Sequence, residues 1–273
     1  MNLQGYLTRI GYRGIPRPDL ETLTAIHRHH LLAIPYENLD IHRGRRLVLD
    51  QATNYRKIVE QGRGGWCYEM NGLLAWALDA IGFRVRLLSG TVGRAARGDA
   101  FEGNHLVLLV ELDRPYLADV GFGDGFLEPI PLAVGTYRQG DFEFRLERDG
   151  GRWIMKNQPW GSAPEFDFTE NAHQLSDFER RCLELQTSPQ SGFVQKTVCQ
   201  RHRPGGIVTL RGAVRRWISA GAVSEVMLRD AAEFQQVLEA DFALRLPDAA
   251  SLWATVEERH RRWIAEQGGP GTS

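Results

Sequence analysis

Charge of one sign is what this sequence most clearly lacks. Its 33 Lys and Arg residues stand against 34 Asp and Glu, a formal net charge of −1 over 273 residues. With no electrostatic excess, nothing in the overall balance points to nucleic acid or a membrane surface as a partner. The basic clusters Arg45-Arg46, Arg201-His202-Arg203, Arg215-Arg216 and Arg261-Arg262 are interspersed with acids and read as solvated faces. Cysteine is scarce, with only Cys67, Cys182 and Cys199. An odd number at wide spacing argues against a disulfide framework or a paired-cysteine zinc site, and fits a reducing cytosol. Long apolar runs are missing too. The longest in the middle of the chain, Leu106 to Val110, is far too short to span a bilayer. Met1-Asn2-Leu3-Gln4-Gly5-Tyr6 has no basic stretch leading into an apolar core, so no signal peptide is expected and the expected location is cytoplasmic.

What is present is the balance of a globular protein, 42% hydrophobic and 25% charged, long enough for one large domain or two to three smaller ones sharing a core. The first eighty residues read as helices. Asp19 caps a segment with Leu20, Leu23, Ile26 and Leu31 largely on one face, and Asp50 caps another that carries Tyr55, Ile58 and Val59 and stops at Gly62. The clearest helix follows Cys67, because Met70, Leu73, Leu74, Ala77, Leu78 and Ile81 share one face before Gly82 ends it. The period then changes. Phe83, Val85 and Leu87 alternate with arginines, residues 105–112 form a continuous apolar strand candidate, and Asp113-Arg114-Pro115 turns it into Tyr116 to Val120. Phe142 to Leu146 and Trp153 to Lys156 flank Asp149-Gly150-Gly151, a hairpin signal, and strand pairing across Pro204-Gly205-Gly206 is expected to continue the sheet. Helix starts are expected at Ser176 and Asp230, each three residues before a Glu, and a last helix at about 250–265. The tail Gly268 to Ser273 reads as disordered. No internal repeat or long low-complexity linker occurs, and the order is α, then β, then α/β.

The informative stretch is Arg63-Gly64-Gly65-Trp66-Cys67-Tyr68-Glu69-Met70-Asn71. Two glycines let the backbone turn sharply and put Cys67 in the first turn of the best-determined helix. Free N–H groups there favour a thiolate and can hold an oxyanion. The alternative is a buried structural cysteine. A nucleophilic thiol needs a base, and the base an orienting acceptor. His27 and His30 could share a helix face, but no further cluster of ligands completes a metal site, and no metal is expected. His42, His173, His202 and His260 sit in polar surroundings and read as surface. His105 opens an apolar strand, as a base or as a satisfied structural histidine. Asp119 lies inside the apolar Tyr116 to Val120, where a carboxylate is costly without a partner. A turn centred at Asp113-Arg114 sets Asp119 opposite Leu108, about 10 Å along the strand from His105 at ~3.3 Å per residue, so a bulge or a neighbouring strand must close the gap.

These residues resemble the arylamine N-acetyltransferase family. Arg63 to Asn71 is similar to its nucleophile segment, Ile34-Pro35-Tyr36-Glu37-Asn38-Leu39-Asp40 to its Pro-aromatic-Glu-Asn-Leu motif, and His105 and Ala118-Asp119-Val120-Gly121-Phe122-Gly123 to its other catalytic segments. The intervals of 38 and 14 residues between Cys67, His105 and Asp119 are similar as well. The resemblance implies an α+β fold with an N-terminal helical domain over 1–82, a central β-barrel over 83–190 and a C-terminal α/β lid over 191–273. The Cys-His-Asp triad would lie between the first two. It implies acetyl-CoA as acyl donor and an aromatic amine or hydrazine as acceptor, by a ping-pong route through acetyl-Cys67. It suggests that Val92 and Phe122 line the acceptor pocket, that the turn with Gly121, Gly123 and Gly125 lies near coenzyme A, and that Arg63 and Glu37 form a structural ion pair. Two departures stand out: Tyr36 where Phe is usual, and Asp124, a negative charge near where phosphates would approach. The competing readings are a thioester hydrolase or amide-forming acyltransferase on the same triad, and a non-catalytic binding module.

Overall fold

Capped amphipathic segments become helices in the N-terminal third of the chain. The structure is a computed structural model whose described residues are 1–219 and 221–266; the tail from Gly268 lies outside them. Helices Leu3–Ile10, Leu20–Ala33, Gln51–Tyr55 and Cys67–Ile81 pack together, with Arg56–Glu60 continuing the third as a wider π-helical turn. Asp19 and Asp50 cap as expected, accepting from the Thr22 and Thr53 N–H groups at 2.8 and 2.7 Å. Gly82 ends the cysteine helix at φ 105°, a left-handed conformation that a side chain would strain. The shared core holds Ile26, Leu31, Met70, Leu74 and Leu78, and also Leu108, Val110 and Ala118 from the strands that follow.

Those strands form an eight-stranded antiparallel sheet curved into a nearly closed barrel. In spatial order they are Ile130–Pro131, Pro115–Ala118, His105–Glu111, Arg84–Val92, Glu165–His173, Arg152–Lys156, Phe142–Asp149 and Gly135–Gln139. All eight supply side chains to one interior cluster, among them Ile130, Leu117, Val107, Leu88, Phe166, Met155, Phe144 and Tyr137. This explains the unbroken apolar run in the third of them. Val107 and Leu109 point into the barrel while Leu108 and Val110 point at the helices, so neither face meets water.

The hairpin at Pro204-Gly205 does not continue that sheet. It joins Val198–Arg203 to Gly206–Arg211 in a separate five-stranded sheet, completed by Val214–Ser219, Ala222–Met227 and the short edge strand Tyr36–Glu37. The edge strand comes from the helical region, where Tyr36 pairs with Gln200. Helices Ala231–Phe242 and Ala249–Glu266 cover one face, burying Phe234, Leu238, Trp253 and Val256 against Cys199, Val208 and Leu210. Asp230 caps the first of these two helices at the Glu233 N–H, 2.9 Å away. Ser176 is not a cap. It lies inside a 3₁₀ turn, Leu175–Phe178, that leads into helix Glu179–Thr187, and the Asp177 carboxylate accepts from the Gln174 N–H instead. His202, expected at the surface, is buried, because its alternating strand turns it inward between two arginines.

Candidate active site

Gly64 and Gly65 are required by close approach. A Cβ at Gly64 would stand 2.0 Å from the Pro35 carbonyl oxygen, and one at Gly65 2.8 Å from the Glu69 Cβ. The loop therefore docks on Pro35 to Glu37, with the Glu37 N–H donating to the Gly65 carbonyl at 2.9 Å. Trp66 leads in with extended backbone, its N–H bonded to the Glu69 carboxylate at 3.2 Å, and Cys67 opens the helix. Behind this turn lies a buried charge network. Arg63 grips Glu37 at 2.6 Å and Asp40 at 3.1 Å, while Lys57 reaches Asp40 at 3.1 Å and Glu69 at 2.8 Å. The Glu37–Arg63 pair is one edge of a larger lattice that fixes the entry to the cysteine helix.

The Cys67 thiol is 2% exposed and directed at the Asn104 carbonyl, 3.9 Å away. Burial pushes its pKa up and the Asp119 charge acts in the same direction, while the Leu106 and Tyr68 N–H groups draw it down. This corrects the expectation from the helix terminus alone. Desolvation outweighs the N–H donors, so thiolate formation depends on a partner that takes the proton. The sulfur lies against the backbone on both sides of His105, at the Asn104 carbonyl and the Leu106 N–H.

His105 opens its strand opposite Gly90, whose missing side chain leaves room: a Cβ there would meet the His105 Cδ2 at 3.2 Å. The ring packs on Phe166 and Phe122, with centroids 4.9 and 5.5 Å away. Its Nε2 is 2.6 Å from Asp119 Oδ2, and both residues are buried. The register differs by one from expectation, because Ala118, not Asp119, pairs with Leu108. The strand ends there. Freed from the ladder, Asp119 turns toward His105, which closes the gap without a bulge. Its Oδ1 accepts from Asn71 Nδ2 and from the Gly121 N–H, both at 2.8 Å, and its own N–H donates to His27 Nε2 at 3.0 Å. Asn71 also donates to the Leu106 carbonyl at 2.6 Å and accepts from the Val120 N–H at 2.9 Å.

Asn71 and His27 are therefore contacts to which the sequence reading assigned no role. Asn71 had a signal, since it is one helical turn after Cys67 and must share its face. His27 had none, being 92 residues from Asp119. His27 and His30 do not share a ligand, for His30 bonds the Tyr6 hydroxyl at 2.9 Å. Among the described residues no group of three or more His, Cys, Asp and Glu side chains is set to hold a metal ion.

Val92 is tied to the residue before His105, its N–H donating to Asn104 Oδ1 at 2.7 Å, and it packs against the barrel cluster that holds Phe122. A Cβ at Gly121 would lie 2.7 Å from Cys67 Cα, and one at Gly123, where φ is 88°, 1.9 Å from Gln200 Oε1. Gly125 packs against the Phe122 ring, where a Cβ would come within 3.1 Å. Asp124 is fully buried, accepting from the Ser162 N–H at 2.6 Å, Gln200 Nε2 at 3.0 Å and Asn157 Nδ2 at 3.3 Å. Its carboxylate is taken up by these internal bonds.

The comparisons with known proteins agree on the class. The N-acetyltransferase family model (Acetyltransf_2) matches residues 19–251, and the protein is an acyltransferase. A pineal gland arylamine N-acetyltransferase of Gallus gallus, isozyme NAT-3, is 38% identical over 237 residues, 78% of this chain and 81% of the relative. Arylamine N-acetyltransferase 1 of Homo sapiens is 35% identical over 236 residues, with the same shares covered. Among solved structures, the Mycobacterium smegmatis arylamine N-acetyltransferase superposes with a TM-score of 0.87 at 36% identity, covering 94% of this chain and 98% of that one. The Mycobacterium marinum enzyme, solved in complex with CoA, gives 0.85 at 29% identity over 94% and 98%. The chain belongs to the arylamine N-acetyltransferase family.

Proposed function

We propose that the chain transfers an acetyl group from acetyl-CoA to aromatic amines or hydrazines through acetyl-Cys67. The observation that carries this reading is the buried 2.6 Å contact between His105 Nε2 and Asp119 Oδ2, with the Cys67 sulfur held against the backbone on both sides of the same histidine. With Nε2 given to the carboxylate, Nδ1 is the nitrogen left for the thiol. It takes the Cys67 proton, and Asp119 stabilises the imidazolium. The thiolate attacks the acetyl carbonyl, and His105 returns the proton to the departing CoA thiolate. In the second half the amine attacks acetyl-Cys67, His105 accepts the amine proton, and the Cys67 thiol is restored as it leaves.

The division into 1–82 with the nucleophile, 83–190 with His105 and Asp119, and 191–273 as lid belongs to this reading. So does the acceptor pocket at Val92 and Phe122, supported by the edge-on contact of Phe122 with the His105 ring and by the packing of Val92 against the barrel cluster that holds Phe122. Gly121, Gly123 and Gly125 form the turn beside the donor, supported by the close approach of Gly121 to Cys67. A cytoplasmic location accords with the absence, among described residues, of a helix long and apolar enough to cross a membrane. The test is intact-protein mass spectrometry. Acetyl-CoA alone should leave one acetyl group on Cys67 that decays slowly in buffer and quickly when an aromatic amine is added. Equal decay in both would make the enzyme a thioester hydrolase.

A further inference from the structure

His27 lies on helix Leu20–Ala33, fully buried, with its ring stacked on Phe126 at 5.7 Å and an interplanar angle of 11°. Both ring nitrogens meet backbone atoms of fixed character. Nδ1 is 2.9 Å from the Leu127 carbonyl oxygen, which can only accept. Nε2 is 3.0 Å from the Asp119 nitrogen, whose N–H can only donate. The ring is therefore the neutral tautomer with its proton on Nδ1 and its lone pair on Nε2. Burial holds its pKa down at about 4, in keeping with a neutral ring at neutral pH.

Asp119 needs that lone pair. The last ladder pair of its strand is Leu108 with Ala118, so its N–H has left the sheet while still buried. A buried N–H seeks an acceptor, and without His27 the segment would turn to find another. With the main chain pinned at Nε2 and Oδ1 pinned by Asn71 and the Gly121 N–H, the remaining carboxylate oxygen points at His105. The anchor reaches across from a helix remote in sequence, and so adds a fixed point that the loop after the strand does not supply.

We infer that His27 is a positioning residue for the reaction, holding the Asp119 backbone through its Nε2 lone pair so that the carboxylate is aimed at His105. This rests on the proposed role of the Cys67–His105–Asp119 set. It predicts opposite results for two isosteric changes. His27→Gln keeps an acceptor near the Nε2 position and loses the donor to Leu127. His27→Asn keeps a donor near Nδ1 and loses the acceptor for Asp119.

Two rates at Cys67 are measured in each folded variant, acetyl loading from acetyl-CoA and alkylation by iodoacetamide, alongside melting temperature. His27→Asn should slow both by about 10²-fold, the scale of a misplaced catalytic group. His27→Gln should recover both to within about tenfold of the wild type, even if it melts lower. Equal losses in the two variants, or wild-type rates in His27→Asn, would overturn the inference and leave His27 as a packing link to Leu127. Each variant decides on its own if the other does not fold: a folded His27→Gln that is slowed 10²-fold also overturns it. The wild type supplies a reading without mutation, because imidazole ¹⁵N shifts must report a protonated Nδ1 at His27, and a protonated Nε2 would end the proposal. Failure of the wild type to load acetyl would strike the transferase reading alone, since alkylation still reports on His27.

Discussion

Gln200 donates to Asp124 Oδ2 at 3.0 Å, and so ties the five-stranded sheet to the glycine-rich turn that passes under Cys67. The neighbouring inward residue of the same strand, His202, bonds the backbone of Gly125. The C-terminal sheet therefore holds the turn in place from outside the barrel, and its position is transmitted to the nucleophile.

Asp124→Ala should be strongly destabilising. It strands the Ser162 N–H and takes one of two acceptors from each of Gln200 Nε2 and Asn157 Nδ2, which keep Ser162 Oγ and the Ala163 carbonyl, and an unsatisfied buried donor costs about 1–3 kcal/mol. Asp124→Asn keeps one acceptor oxygen, which can take the two bonds now made to Oδ2, so its loss should be clearly smaller. Urea denaturation of both variants gives the comparison. Equal losses would show that the hydrogen bonds do not hold the turn.

Acid should unfold the protein early, and the sign follows from the buried histidines. Burial lowers His27 to about 4, His202 to about 3, and His30 well below its ordinary value. Below about pH 6.5 the unfolded chain takes up protons at these sites while the folded chain does not. Their contribution is thus complete above about pH 6.5 and is lost as pH falls toward about 4. Three such protons give a slope of about 4 kcal/mol per pH unit at its steepest, from about 1.4 per proton. His27→Gln should remove one proton from that slope. A stability curve flat between pH 6.5 and 5 contradicts this account.

Local signals were legible where chemistry and period agreed. The Cys67–Ile81 helix could be read because six apolar residues share a face and Gly82 stops it, and the hairpin after Asp149 because its turn residues demand one. The second sheet could not be read. Whether the Pro204-Gly205 hairpin joins the barrel or stands apart depends on Tyr36, which pairs with Gln200 from 164 residues away. His202 was obscured by its arginine neighbours. Arg201 is drawn off to the Leu32 carbonyl at 2.9 Å, which a composition reading counts as solvated charge. Cys67 stood out because two glycines set it in the first turn of a strongly periodic helix, and His105 and Asp119 because each is a polar group in or beside an apolar strand. The network around Asp119 did not, because Asn71 and His27 reach it from helices whose place against that strand the sequence does not give, even where Asn71 shares a face with Cys67.

Glu37→Gln tests the charge lattice. Glu37 Oε1 takes two bonds from Arg63, and Oε2 takes the Leu39 N–H at 2.8 Å. A glutamine that keeps its oxygen on Leu39 must turn its amide toward the guanidinium. The loss expected for a broken buried pair is about 3–5 kcal/mol, eased here by Asp40, which also holds Arg63. Activity per folded molecule should survive below the lowered melting temperature. Lost activity with unchanged melting would move Glu37 into the reaction itself.

Asp119→Asn should fold and be nearly inactive, for a reason visible in its contacts. Two donors converge on Oδ1, Asn71 Nδ2 and the Gly121 N–H, so only the amide oxygen of an asparagine can occupy that position. The amide nitrogen must then take the place of Oδ2 and present a hydrogen to His105 Nε2. To accept it, the ring moves its proton from Nε2 to Nδ1. In the proposed mechanism Nδ1 is the atom that takes the thiol proton, which it cannot do once protonated, and no carboxylate remains to stabilise an imidazolium. Burial already pushes the Cys67 thiol up, so the thiolate has no other route. The loss should be on the order of 10³–10⁴-fold in acetyl loading, the size seen when a triad histidine is held in the wrong tautomer. The backbone bond to His27 does not depend on the carboxylate, so the fold and melting temperature should change little. Stopped-flow loading with acetyl-CoA, read beside imidazole ¹⁵N shifts that report which nitrogen of His105 bears the proton, supplies both halves of the test. A folded Asp119→Asn that loads Cys67 at close to the wild-type rate would remove the carboxylate from the mechanism.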